Sequence, residues 1–241
     1  MRYTTGARFA AGILVLVLSI LLLFQLVLGN PTGASITYNA TDYGPTSSAT
    51  SFTSNRSTIA TLVLDAIQQD QYWKAYVGNV TGSLTLDDSS SNTIYDWTGI
   101  TNPTGEVYAS RNGSVDWNSI QCAQPATIAT EQAVVNMTTG ADNITNTFNG
   151  SSHTPTIVAG NSYNTCPMTA LFRNNVRQSQ NPSADWQEFL LESGTSLIYT
   201  AIINDNTQGF DGARTFDFQM IVAESDRNAN PYTYYFYVEL G

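Results

Sequence analysis

Between Phe9 and Gly29 no side chain carries a charge, and Ser19 and Gln25 are the only polar ones. Wound as an α-helix, these 21 residues rise about 31 Å, close to the hydrocarbon thickness of a bilayer. A run this long and this pure does not suit a buried core helix. Arg2 and Arg8 precede it and nothing basic follows closely. The positive-inside rule therefore puts residues 1–8 in the cytoplasm, 9–29 across the membrane and the remainder outside. The expectation is a single-pass cell-membrane protein whose main domain is extracellular. A cleaved secretory signal is the rival, with "TGA" before Ser35 as a small-residue cleavage site. The run exceeds a usual signal core, which favours a retained signal anchor.

Charge divides the chain in the same way. It has 19 acidic and 9 basic residues, a net charge of −10. Arg2 and Arg8 come before the apolar run and every acidic residue after it, so the outer part carries 7 − 19 = −12. A surface that acidic argues against nucleic acid or anionic lipid as a partner. Lys74 is the only lysine, while Thr, Ser, Asn and Tyr abound, a composition suited to an exported β-rich protein. Residues 30–58, dense in Ser, Thr, Asn, Gly and Pro, read as a juxtamembrane stalk from which "SITYN" can dock on the domain. The domain proper spans 59–241.

Strand patterns dominate that domain. "STIATLVLD" is a β-branched run, and "YWKAYVGNVTGSLTL" (72–86) reads as a pair of strands around glycines. "SSNTIYDW" and "GEVYASRNGSVDW" follow, and Asn112-Gly113 in the latter accepts the positive φ angles of a tight β-hairpin turn. In "TFDFQMIV", Phe216, Phe218, Met220 and Val222 share one face, with Asp217 and Gln219 on the other. In "YTYYFYVEL", Tyr232, Tyr234, Phe236, Val238 and Leu240 share a face opposite Tyr235 and Tyr237. One short helix is expected in 124–139, behind Pro125, from Ala126, Ala129, Ala133 and Met137 at helical spacing. Cys122 and Cys166, the only cysteines, are expected to form one disulfide in an exported protein. The fold class is mainly β: an N-terminal transmembrane helix plus an antiparallel β-sandwich with one short helix and one disulfide.

Four stretches, "YVGNVTGSLTLDD" with "IYDW", "GEVYASRNGSVDWNSIQCA", "IYTAIINDNTQGFDGARTFDFQMIVAES" and "YTYYFYVEL", resemble a group of uncharacterised archaeal membrane-anchored cell-surface proteins. The matching pieces span most of residues 72–240, in order. The resemblance implies an archaeal envelope protein with an outward β-rich domain and a cysteine pair. It brings no activity and no site residue.

Chemistry is sparse. "NDNTQGFDG" (204–212) is oxygen-rich, but an EF-hand register from Asn204 ends on Thr215 and one from Asp205 on Phe216, where a bidentate Glu is required. It reads as the hairpin loop between "SLIYTAII" and "TFDFQMIV", with an irregular calcium site on Asp205 and Asp211 as the alternative. "LDDSSSN" (86–92) reads as a second solvated turn. No Gly-x-Ser-x-Gly elbow, zinc-spaced His/Cys cluster or phosphate-cradling loop occurs. Carboxylate pairs for glycoside hydrolysis could be drawn from Glu188, Glu192, Asp205, Asp211 or Asp217, as in any acidic β domain. His153 reads as a solvated loop residue. Glycosylation sequons lie at Asn39, Asn55, Asn79, Asn112, Asn136, Asn143 and Asn149. Trp73, Trp97, Trp117 and Trp186 read as packing residues, and Tyr235 and Tyr237 as the exposed candidates for stacking on glycans. The expected function is structural or adhesive interaction at the envelope, with other envelope proteins or glycans as partners and no catalysis. A glycan- or calcium-binding surface module and a pilin-like filament subunit, with Gly6 ahead of the apolar run, are the alternatives.

Overall fold

A computed structural model of the chain describes residues 30–38, 40–42, 44, 51, 59, 61, 70–97, 100–224 and 232–241. The segments expected to be cytoplasmic and transmembrane (1–8 and 9–29), Asn39, Asn55 and most of "STIATLVLD" lie outside the described residues. Among those described, no helix is long and apolar enough to cross a membrane.

The fold is mainly β and antiparallel. In chain order the strands are β1 (Thr32–Gly33), β2 (Trp73–Gly78), β3 (Leu84–Asp87), β4 (Thr93–Trp97), β5 (Gly105–Ser110), β6 (Ile120–Cys122), β7 (Thr156–Val158), β8 (Asn161–Tyr163), β9 (Met168–Ala170), β10 (Gln187–Ser193), β11 (Ser196–Ile202), β12 (Thr207–Gln208), β13 (Thr215–Phe216), β14 (Phe218–Ala223) and β15 (Tyr235–Leu240). Two helices, α1 (Pro125–Val134) and α2 (Ile144–Thr147), follow β6. Pro125 opens α1, where a missing N–H costs nothing, and Asn143 caps α2 by accepting from Asn146 N–H at 2.8 Å. One short helix was expected; the four-residue α2 is too brief to leave a periodic signature.

The main sheet has seven strands in the order β1-β15-β5-β11-β10-β6, with β9 also on β10. β6 pairs with Leu191–Ser193 and β9 with Gln187–Phe189, so the two short strands lie end to end along one edge of β10. Leu190 bridges the seam: its C=O accepts from Ala123 N–H at 3.0 Å and its N–H donates to Pro167 C=O at 2.8 Å. The expected disulfide, Cys122–Cys166, closes at that seam.

Both faces of the sheet are covered. On one face Val107, Leu190, Tyr199, Ala201, Phe236 and Val238 pack with Ile128 of α1, Ile144 of α2 and Met220 and Val222 of β14. The covering layer is a two-stranded β2–β14 ladder together with the helices. On the other face Tyr108, Met168, Phe189, Leu191 and Ile198 pack with Trp117 and with Val158 of the β7–β8 hairpin. Each fully buried aliphatic side chain of this kind contributes about 1.5–3 kcal/mol.

Three local expectations change. Asn112-Gly113 makes no hairpin: β5 pairs with β11 and β15, whereas β6 pairs with β10. Neither residue has positive φ. Gly113 instead sits under the Tyr235 ring, which an added Cβ, at 2.9 Å, would push aside. Next, the strands flanking residues 204–212 do not pair with each other, because β14 pairs with β2. The loop instead folds into its own β12–β13 ladder. Finally, Asp217 and Gln219 do not face solvent; both are buried and hydrogen-bonded.

Candidate functional site

β3 and β4 form a hairpin whose nine residues are all exposed. Its register places Leu84 opposite Trp97 and Leu86 opposite Tyr95. Directly opposed residues share a face, so these four make one continuous apolar surface. They are 45%, 52%, 54% and 59% exposed in the order Leu84, Trp97, Leu86, Tyr95. Tyr95 and Trp97 meet edge to face at 5.0 Å. Asp88 organises the tip, accepting from Ser90 N–H at 2.8 Å, Asn92 N–H at 2.9 Å and Asn92 Nδ2 at 2.9 Å. "LDDSSSN" is thus a turn, as expected, but it presents a surface that composition did not reveal. The signal was the period-two spacing of Leu84 and Leu86 before the turn and Tyr95 and Trp97 after it.

The carboxylates singled out for chemistry are tied into the structure one by one. Glu188 is fully buried, accepts from Ile221 N–H at 2.9 Å and so joins β10 to β14. Burial holds it protonated well above the usual carboxylate range. Glu192 accepts from Gln124 N–H at 2.8 Å and from Gln121 Nε2 at 2.6 Å. Asp217 accepts from Val80 N–H at 2.8 Å and Asn206 N–H at 2.9 Å, pinning the 204–212 loop to the segment after β2. Asp211 meets Arg214 at 2.8 Å, which holds its carboxyl below the usual range. Among the described residues no three His, Cys, Asp or Glu side chains converge as metal ligands would.

The remaining candidates separate by exposure. Asn79, Asn136 and Asn149 are exposed. Asn112 is half-buried and its Nδ2, the atom a glycan would take, donates to Ser196 Oγ at 3.2 Å. Asn143, also half-buried, is the α2 cap. Tyr235 is exposed, but Tyr237 is not the free platform expected: its ring packs 5.2 Å from Trp117 and its hydroxyl donates to Asn112 C=O at 3.1 Å. The face opposite the first core is itself covered. Trp186 and Trp117 are buried and Trp73 half-buried, as packing residues should be, while Trp97 stands out on the hairpin. His153 is buried and not solvated, stacked at 4.0 Å on Phe189, and burial lowers its pKa. No family model, curated protein or solved structure matches this chain.

Proposed function

We propose that this chain is a membrane-anchored envelope protein of archaeal type. Its glycosylated outward β-sandwich acts by structural or adhesive contact with another protein, without catalysis. The anchor is the apolar segment 9–29, and 1–8 lies in the cytoplasm. The observation that carries the reading is the apolar face of Leu84, Leu86, Tyr95 and Trp97 on a hairpin exposed along its whole length. An isolated two-stranded hairpin is marginal in water, and an apolar face of this kind marks an interaction site. Its acidic tip, Asp87 and Asp88, favours a protein surface over an anionic lipid one.

The test uses the full chain in its native membranes, with a photo-crosslinking residue in place of Tyr95, on the apolar face itself. Protein adducts that disappear in the Leu86→Ser/Trp97→Ser double variant, on a chain whose mass retains the whole apolar run, support the reading. Adducts unchanged by the double variant, or a mature chain starting near Ser35, overturn it. A start at Ala7 replaces it with the filament reading.

A further inference from the structure

The fold leaves a second apolar surface open. Phe172 and Phe210 are 47% and 41% exposed, and the buried Gln219 side chain holds both. Its Nε2 donates to Phe172 C=O at 3.1 Å and its Oε1 accepts from Phe210 N–H at 2.8 Å. The Phe216 ring lies parallel to that of Phe210 at 6.5 Å, with the Arg214 guanidinium over it at 5.5 Å. A turn of Asn174 and Asn175, both at positive φ, closes between Arg173 and Val176 and so brings Arg177 across from Phe172. The N–H groups of Asn174 and Asn175 donate to the C=O groups of Gly209 and Phe210, at 2.9 Å and 2.6 Å, which fixes the turn against the 204–212 loop. The result is one patch of three phenylalanines with Arg173, Arg177 and Arg214 around it. Aromatic and Arg side chains of this kind dominate binding hot spots.

Charge and position together identify what covers this patch. Residues 171–178 and 209–216 hold Arg173, Arg177 and Arg214 against Asp211, 3 − 1 = +2, in an outer chain that is otherwise strongly acidic. Counting Asp185, which Arg173 meets at 2.8 Å, the balance is still 3 − 2 = +1. Arg214 pairs with Asp211, whereas Arg177 is exposed and makes no ion pair among the described residues. The β3–β4 hairpin is the converse: residues 79–104 hold Asp87, Asp88 and Asp96 and no basic residue. The chain therefore carries an apolar face with an acidic tip and an apolar patch with basic surroundings. The two are also contiguous, since Leu84 lines the same groove along β2 as Val77, Phe172, Phe210 and Phe216. A single two-fold axis can then lay each hairpin on the other copy's patch.

We infer that the partner of the hairpin is a second copy of this chain, in a reciprocal dimer. Leu84, Leu86, Tyr95 and Trp97 of each copy pack on Phe172, Phe210 and Phe216 of the other, and the arginines face the acidic tip. This inference rests on the reading of the hairpin as an interaction surface and names its partner. One hairpin on each side makes a small interface, of the transient class. Such a contact holds between chains concentrated in one membrane and parts on dilution in detergent.

The test places an aromatic photo-crosslinking residue at Tyr95 of the full chain in native membranes. The expected product has twice the mass of the chain and joins the hairpin to a peptide within 171–178 or 209–216. Arg177→Glu/Phe210→Ser, at two exposed positions, should lower its yield at least about fivefold. Co-expressing a chain that carries Leu86→Ser/Trp97→Ser, and so keeps its patch, should restore the product by offering that patch to the intact hairpin. The unfolding midpoint of each variant reports that the fold is intact. Crosslinks to another protein or to residues 43–69 of the same chain overturn the dimer, and so does a yield unchanged by the patch variant or not restored by the second chain. In each of these outcomes the hairpin keeps its role as an interaction surface. Adducts that persist when Leu86→Ser/Trp97→Ser is placed on the crosslinking chain overturn that role as well.

Discussion

Glu106 and Glu239 stand directly opposite each other across β5 and β15, and both carboxyls reach the hydroxyl of Tyr108, at 3.4 Å and 2.9 Å. Both are buried, and no salt bridge serves either among the described residues. Glu239 also accepts from Ala159 N–H at 3.1 Å, which ties the β7–β8 hairpin to the sheet.

Burial and the nearby Glu239 push Glu106 up to about 8, from an ordinary value of 4.5. Between those values the folded chain keeps a proton that the unfolded chain has released. Its stabilisation is complete below about pH 4.5 and is lost as the pH rises through about 8. Burial raises Glu188 and Glu239 too, and their sign is the same. Urea unfolding should therefore show lower stability at pH 8 than at pH 5, and Glu106→Gln should flatten that slope. At pH 8 the variant should be the more stable by roughly 2–4 kcal/mol.

Reducing the disulfide should loosen the seam it closes. The chain-entropy model gives roughly 4 kcal/mol for a loop of this length, and a Cys122→Ser/Cys166→Ser chain should lose about that much. Hydrogen exchange locates the effect. The amides of Ala123 and Leu190, which cross the seam, should lose protection before those of Leu197 and Tyr199 in the centre of the sheet.

Sequon occupancy should follow exposure. Peptide mapping of the membrane-derived protein should find sugar on Asn79, Asn136 and Asn149, and bare Asn112, whose amide is committed to Ser196. Sugar on Asn112 but not on Asn79 would contradict this order.

Hairpin substitutions should leave stability alone. Leu86→Ser and Trp97→Ser act on exposed side chains and should shift unfolding by no more than about 0.5 kcal/mol. Leu190→Ala, at a fully buried position, should cost about 2–5 kcal/mol in the same urea titration.

Where a pattern is local and periodic, the sequence was a good guide. The face of Tyr232, Tyr234, Phe236, Val238 and Leu240 does join the first core, Pro125 does open a helix, and the two cysteines do pair. Partner choice was not legible. Alternation says that β11 and β14 are strands, yet whether they pair with each other depends on contacts over a hundred residues away, as with Phe218 and Gly78. The second face of the sheet was hidden for a related reason. Tyr237 and Asp217 look solvent-facing because a polar atom reads as wet, and burial of that atom is acceptable once a distant backbone group satisfies it. The Arg111–Glu131 ion pair was likewise hidden, because its two residues meet only through the tertiary fold.

The buried carboxyls have a consequence for salt. Glu188, Glu192, Asp217 and Glu239 are held by backbone N–H donors instead of cations, in a chain with 19 acidic residues and 9 basic ones. Electrolyte screens exposed charges over a Debye length of about 10 Å at 0.1 M but reaches buried hydrogen bonds far less. Adding salt therefore relieves the mutual repulsion of the acidic exterior while leaving these internal ties intact. A fold built this way gains stability in brine, where one held together by surface ion pairs would lose it.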